Sequence, residues 1–135
     1  MTSSLAHVRV RDCMHRGIFS CSGDAPLGEV AGIMAKHRVH AVAVTGGDDR
    51  RVAAVASDLD VVGAAASGRE PTAIQVAATE PLKISADAPV RDAAQLMTEH
   101  GVAHLVVVDP ASGYPIGILS TLDLAALYAD DAREW

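Results

Sequence analysis

Ser22-Gly23-Asp24-Ala25-Pro26 returns as Ser85-Ala86-Asp87-Ala88-Pro89, and Ala54-Val55-Ala56-Ser57-Asp58-Leu59-Asp60 returns as Gly117-Ile118-Leu119-Ser120-Thr121-Leu122-Asp123. Both returns come 63 positions later (85 − 22 and 117 − 54). Residues 22–64 align on 85–127 without a gap, and 12 of the 43 pairs are identical, among them Met34/Met97, His37/His100, Ser57/Ser120 and Asp60/Asp123. Many other pairs exchange one aliphatic residue for another, as in Ile33/Leu96 and Val55/Ile118. A duplication at fixed offset predicts one supersecondary unit used twice, each copy covering the apolar face of the other. Any site carried by one copy then has a divergent counterpart in the other.

Working outward from the duplicated ends, each copy reads as β-α-β-β-α, an α+β fold of two units related by a pseudo-twofold axis. A short extended segment (Ile18–Cys21, Leu82–Ile84) leads to a proline suited to the first turn of a helix. Apolar residues then recur at helical spacing, Leu27, Val30, Ala31 and Met34 in copy one, Val90, Ala93, Ala94 and Met97 in copy two. These helices stop near His37-Arg38 and His100-Gly101. Two strands follow as a hairpin, Ala41–Val44 with Val52–Ala56 and Leu105–Val108 with Ile116–Leu119, joined by turns at Gly46–Asp49 and Asp109–Gly113. A last helix starts at Ser57 or Ser120 and runs to about Ala66 or Tyr128. The copies are expected over 8–66 and 73–129, with 67–72 as a polar linker and Asp130–Trp135 as a loose tail.

Composition narrows the function classes. With 135 residues, each copy of roughly 60 is marginal alone. Half the residues are hydrophobic but only 3% are aromatic, so the core must be built from Val, Ala, Leu, Ile and Met. A net charge of −6 argues against nucleic acid or an anionic membrane as partner. No apolar run approaches the ~20 residues that span a bilayer, and the first residues lack the apolar stretch of a signal peptide. Two cysteines make no secreted disulfide framework. The expectation is a soluble, cytoplasmic protein.

The chemistry is concentrated in Ser57-x-x-Asp60 and Ser120-x-x-Asp123. Serine as N-cap with an acid three residues on is close to a capping box, which needs no ligand. The same geometry also suits a nucleotide. The helix N-terminus holds a phosphate, the hydroxyl adds a donor, and the carboxylate accepts from both hydroxyls of a ribose. Gly117, before Ile118, would let a ligand approach the backbone. No nucleophile–base constellation or phosphate loop stands in a catalytic context, so an enzyme is not expected.

The repeat, the order of elements and these motifs resemble the CBS domain family, as a tandem pair over about residues 8–128. The resemblance rests on Val10-Arg11-Asp12-Cys13-Met14, Asp24-Ala25, Val107-Val108-Asp109 and the two Ser-x-x-Asp motifs. It implies a regulatory module that binds an adenine nucleotide in clefts between the repeats, requires no cofactor and forms a homodimer through its helices. One cleft would use Ser120 and Asp123 with Gly17, Ser22, Val39 and His40, and His104 as cation for the phosphate. The other would use Ser57 and Asp60 with Glu80, Ser85, Val102 and Ala103, and Ala41 at the basic position. Glu80 and Ala54 disfavour the second, so the Ser120/Asp123 site is the expected working one. The alternative is a ligand-free dimerisation or protein-interaction module in which both motifs only cap helices. An apolar face including Ala64–Ala66 and Leu124–Leu127 is expected to pair two copies. Among six histidines, His37 and His100 fit helix C-termini better than a metal; Cys13 and Cys21 could join His15 in a site, but a small buried cysteine is the commoner outcome.

Overall fold

In a computed structural model, the described residues are 7–46, 51–79 and 82–133. Both predicted helices between the leading strand and the hairpin form, α1 (Leu27–His37) and α4 (Val90–His100). Each buries its predicted stripe, Val30 and Met34 in α1, Val90, Ala93 and Met97 in α4. Pro26 and Pro89 stand just before them as N-caps, in extended conformation. Both helices end through a left-handed residue, which for an L-amino acid other than glycine brings Cβ against the carbonyl. Copy two has Gly101 there (φ 63°), whereas copy one places Arg38 at φ 54°.

The hairpins are β3 (Ala41–Gly46) with β4 (Arg51–Ser57), and β7 (His104–Val108) with β8 (Pro115–Ser120). Their registers repeat the sequence offset. Ala41 faces Ser57 and His104 faces Ser120; the ladders slip between Val44 and Thr45 in one hairpin and between Val107 and Val108 in the other. The β7–β8 turn is fixed by Asp109, whose carboxylate accepts from the Ser112 hydroxyl at 2.8 Å. In the first hairpin, residues 47–50, most of the predicted Gly46–Asp49 turn, lie outside the described residues. The leading strands β2 (Ser20–Ser22) and β6 (Lys83–Ser85) join β3 and β7 in parallel. The closing helices are α2 (Asp58–Ala66) and α5 (Thr121–Arg133). Helix α5 continues through Arg133, so the loose tail expected from Asp130 is corrected: the apolar and alanine-rich stretch Leu122–Ala132 sustains helix to the end of the described chain.

Two further strands were not expected. β1 (His15–Arg16) pairs antiparallel with β8, and β5 (Ala78–Thr79) pairs antiparallel with β4. The sheets are therefore β1-β8-β7-β6 and β2-β3-β4-β5. The strand that precedes each copy completes the sheet of the other, and the compact units follow the sheets: unit 1 holds residues 1–17 and 82–135, unit 2 holds 18–81. The packed units differ from the duplicated stretches of sequence because β1 and β5 cross over. Nor is 67–72 a bare linker, since Thr72 caps the short helix α3 (Ala73–Val76) and bridges to Pro26.

Each unit has its own core. In unit 1, Val10, Val90, Met97, Leu105, Val107, Leu119 and Leu124 are buried together. Unit 2 packs Val30, Met34, Val42 and Val44 with six smaller residues, among them Cys21, Ala54 and Ala56. The 3-10 turn Val10–Asp12 docks into unit 1 by Val10 and Arg11 N–H bonds to the Ala88 and Ala86 carbonyls, 2.8 and 2.9 Å. Helix α3 docks identically into unit 2, from Ala73 to Ala25 and from Ile74 to Gly23. Structural equivalence at an offset of 63 thus extends upstream to Arg9 and Thr72, well before the aligned stretch (72 − 9).

Candidate ligand-binding site

Both Ser-x-x-Asp motifs fold as reciprocal caps. Asp60 N–H donates to Ser57 Oγ at 3.1 Å, and Ser57 N–H donates to Asp60 Oδ2 at 2.9 Å. In copy two, Asp123 N–H donates to Ser120 Oγ at 3.2 Å and Ser120 N–H donates to Asp123 Oδ2 at 2.8 Å. The strand-to-helix turn satisfies two otherwise orphaned N–H groups at each helix start. Each carboxylate keeps its second oxygen, Oδ1, outside the cap.

What occupies Oδ1 differs between the copies. Asp123 Oδ1 lies 2.9 Å from His15 Nε2, while among the described residues Asp60 Oδ1 has no such partner. The sequence offers His15 only as a conceivable metal ligand; its place beside Asp123 depends on β1 joining β8, where His15 faces Ile118. Cys13, half-buried on the same segment, directs its thiol at the Asp123 carbonyl at 3.6 Å. Burial pushes the Cys13 thiol up from its ordinary pKa, and the Asp123 and Asp12 carboxylates push it further.

Unit 1 brings together Ser120, Asp123, His104, Gly117, Ile118 and Gly17. His104 is the cross-strand partner of Ser120, and the Gly17 N–H donates to the Ile116 carbonyl at 3.0 Å with φ at +80°, beside the same strand. Gly117 faces Arg16, and an added Cβ would stand 2.5 Å from the His15 carbonyl and 2.9 Å from Met14 Sδ. The close approach that this glycine permits is therefore made by the chain's own β1. Ser85 and Val102 also belong to unit 1. Ser85 Oγ accepts from Asp87 N–H at 3.1 Å, and Val102 packs half-buried on the core.

Unit 2 holds Ser57 and Asp60 together with Ser22, Val39 and His40. Ser22 donates its hydroxyl to Asp24, and Val39 packs on the unit 2 core. His40 Nδ1 lies 2.9 Å from the Asp58 carboxylate. At the basic position of this copy, Ala41 is buried and apolar. Glu80 lies outside the described residues. His37, read from the sequence as a helix-terminal imidazole, does end α1, and its ring stacks on Phe19 with centroids 4.0 Å apart. Cys13 belongs to unit 1 and Cys21 to unit 2, and among the described residues no three His, Cys, Asp or Glu side chains are placed to hold a metal ion. No helix among them is long and apolar enough to cross a membrane.

Comparison with known proteins gives this arrangement a family. A CBS domain protein from Pyrobaculum aerophilum, solved in complex with AMP, is 31% identical over 93% of this chain and 99% of its own, with a TM-score of 0.81. Hypoxic response protein I, solved with two coordinated zinc ions, is 26% identical over 88% of this chain and 98% of its own, with a TM-score of 0.71. A CBS domain pair solved with 5′-methylthioadenosine and S-adenosyl-L-methionine shares the fold at a TM-score of 0.81 and 19% identity, covering 91% of this chain and 97% of its own. No curated protein matches this chain. The CBS domain pattern itself matches twice, over residues 10–67 and 73–130. Duplication, the crossover strands β1 and β5 and paired Ser-x-x-Asp caps thus stand in a chain that carries the family pattern twice, and the chain belongs to the CBS domain family.

Proposed function

We propose that this CBS pair is a regulatory module that senses an adenine nucleotide, and that Ser120, Asp123 and His104 form the principal binding group. The AMP complex of a relative with 31% identity and near-complete mutual coverage is the observation that carries the reading. Asp123 would receive the ribose hydroxyls. Ser120 and the start of α5 would face the phosphate, with His104, its neighbour across the ladder, as cation. Gly17, Gly117 and Ile118 belong to the same unit; Ser22, Val39 and His40 enter only through the family resemblance. Ser57 and Asp60, with Ser85 and Val102, are the weaker counterpart, because Ala41 replaces the basic residue. Regulation, not catalysis, and a cytoplasmic setting complete the proposal.

A second reading is favoured by the completeness of both capping boxes: a ligand-free dimerisation module. Either reading includes a homodimer. Leu59 and Val62 on α2, and Leu122 and Tyr128 on α5, are large apolar side chains left exposed. They replace part of the face expected from sequence, since Leu124 is buried in its own core and Leu127 half-buried against it.

Calorimetric titration with AMP separates the two. Loss of a hydrogen bond to a charged acceptor removes roughly 1.5–3 kcal/mol, so Asp123→Ala should weaken binding at least tenfold and Asp60→Ala much less. Circular dichroism verifies that both variants stay folded. Absence of binding by the parent protein would favour the cap-only reading, and equal losses in the two variants would refute the preference for the Ser120/Asp123 site.

A further inference from the structure

The imidazole on Asp123 is present in one copy only. The position 63 residues after His15 is Ala78, and Ala78 faces Val55 across the β5–β4 ladder just as His15 faces Ile118 across β1–β8. An alanine there has no ring to reach a carboxylate, so the contact is made at the Asp123 motif and has no equivalent at Asp60. Its geometry is also lopsided. With the ring in place, only 11% of the Asp123 side chain meets solvent, while 74% of the His15 side chain does. The aspartate is fixed from beneath by the Ser120 N–H, and Cys13 Sγ holds the neighbouring carbonyl. The histidine is an exposed arm closing on a held carboxylate.

We propose that His15 is a latch: it occupies the Asp123 oxygen that a ribose diol would use, and a nucleotide must displace it to bind. This rests on the nucleotide reading above and adds a residue that sets the affinity of the Ser120/Asp123 site. A vicinal diol donates two hydrogens, and the carboxylate has two oxygens to receive them. Oδ2 already accepts the cap N–H, which leaves Oδ1 as the more open acceptor; the imidazole sits there. The arm is largely solvated, so it competes weakly. Exposed pairs of this kind correspond to an affinity change of about two- to fivefold.

The test titrates the full chain with AMP in parent, His15→Ala, His15→Gln, Asp123→Ala and the double variant His15→Ala/Asp123→Ala. The latch predicts that His15→Ala binds AMP about two- to fivefold more tightly, that His15→Gln, which keeps a donor, gains less, and that the gain disappears when Asp123 is already alanine. Unchanged or weaker binding by His15→Ala overturns it and makes His15 a spectator or a ligand contact. A measurement without ligand keeps this separate from the nucleotide reading. The Nε2 nitrogen shift of His15 should move in Asp123→Ala and stay in Asp60→Ala. An unmoved shift refutes the contact itself, whereas a moved shift with no AMP binding by parent or His15→Ala refutes the nucleotide reading and the displacement together.

Discussion

Replacing Gly117 by alanine adds one methyl group where the structure has no room for it. The new Cβ would lie 2.5 Å from the His15 carbonyl oxygen and 2.9 Å from Met14 Sδ. The sulfur can swing away, but the oxygen is backbone in a strand bonded to β8, so relief requires β1 to lift from the sheet. Overpacking of this kind costs about 1–3 kcal/mol. Removing the glycine returns about 0.5–1 kcal/mol of unfolded-chain entropy. The net expectation is a loss centred near ~1 kcal/mol and reaching about 2.5, or a Tm lowered by about 3–4 °C at the centre for a domain of this size. Thermal and urea unfolding of Gly117→Ala without ligand measure it. The reciprocal Ala54→Gly should also destabilise, because Ala54 is fully buried and its methyl fills unit 2. Interchangeable copies would instead give opposite signs. A Gly117→Ala protein as stable as its parent would refute the steric argument. If that protein also lost AMP binding, Gly117 would be reserved for ligand approach after all.

Arg38 sits in the left-handed region at φ 54° where copy two has Gly101. The conformation costs roughly 1–2 kcal/mol for an L-residue and the added glycine freedom about 0.4–1, so Arg38→Gly should raise the unfolding free energy by up to about 1.6 kcal/mol, read as a higher urea midpoint, while Gly101→Ala lowers it. Burial, then the Asp123 and Asp12 carboxylates, raises the Cys13 thiol; burial, then Glu29, raises Cys21. The folded thiols hold their protons more tightly than unfolded ones. That stability is complete below the ordinary thiol pKa and is lost as pH rises through the folded values, so unfolding free energy should fall more steeply above pH 9 in the parent than in Cys13→Ala/Cys21→Ala. Light scattering should give a dimer mass for the parent at micromolar concentration, shifting toward monomer in Leu59→Glu/Leu122→Glu.

The parts of this fold that were legible in the sequence are those whose local pattern and duplication agree. Helices α1 and α4 carry an apolar stripe, a preceding proline and a mate at fixed offset, and the two hairpins reproduce the same register down to the slip in each ladder. The crossover strands β1 and β5 were not legible for a physical reason. β1 and β5 are two residues long, and their sequences, His15-Arg16 and Ala78-Thr79, share neither residues nor alternation. Each is a strand only because a hairpin from the other copy offers it a free edge, a long-range term that no local window contains. From residues 9 to 21 against 72 to 84, not one pair is identical, yet the backbone bonds of the two segments correspond one for one where Val10 and Ala73 dock. The same blindness hid His15. Its ring was visible as a histidine, but its carboxylate partner lies 108 residues away (123 − 15) and becomes a neighbour only through the strand crossover. Ser120 and Asp123 were readable because a cap is local. What distinguishes them from Ser57 and Asp60 lies beyond the cap: the hairpin partner opposite each serine, His104 in one copy and Ala41 in the other, and the imidazole that β1 carries to Asp123, which no local window contains.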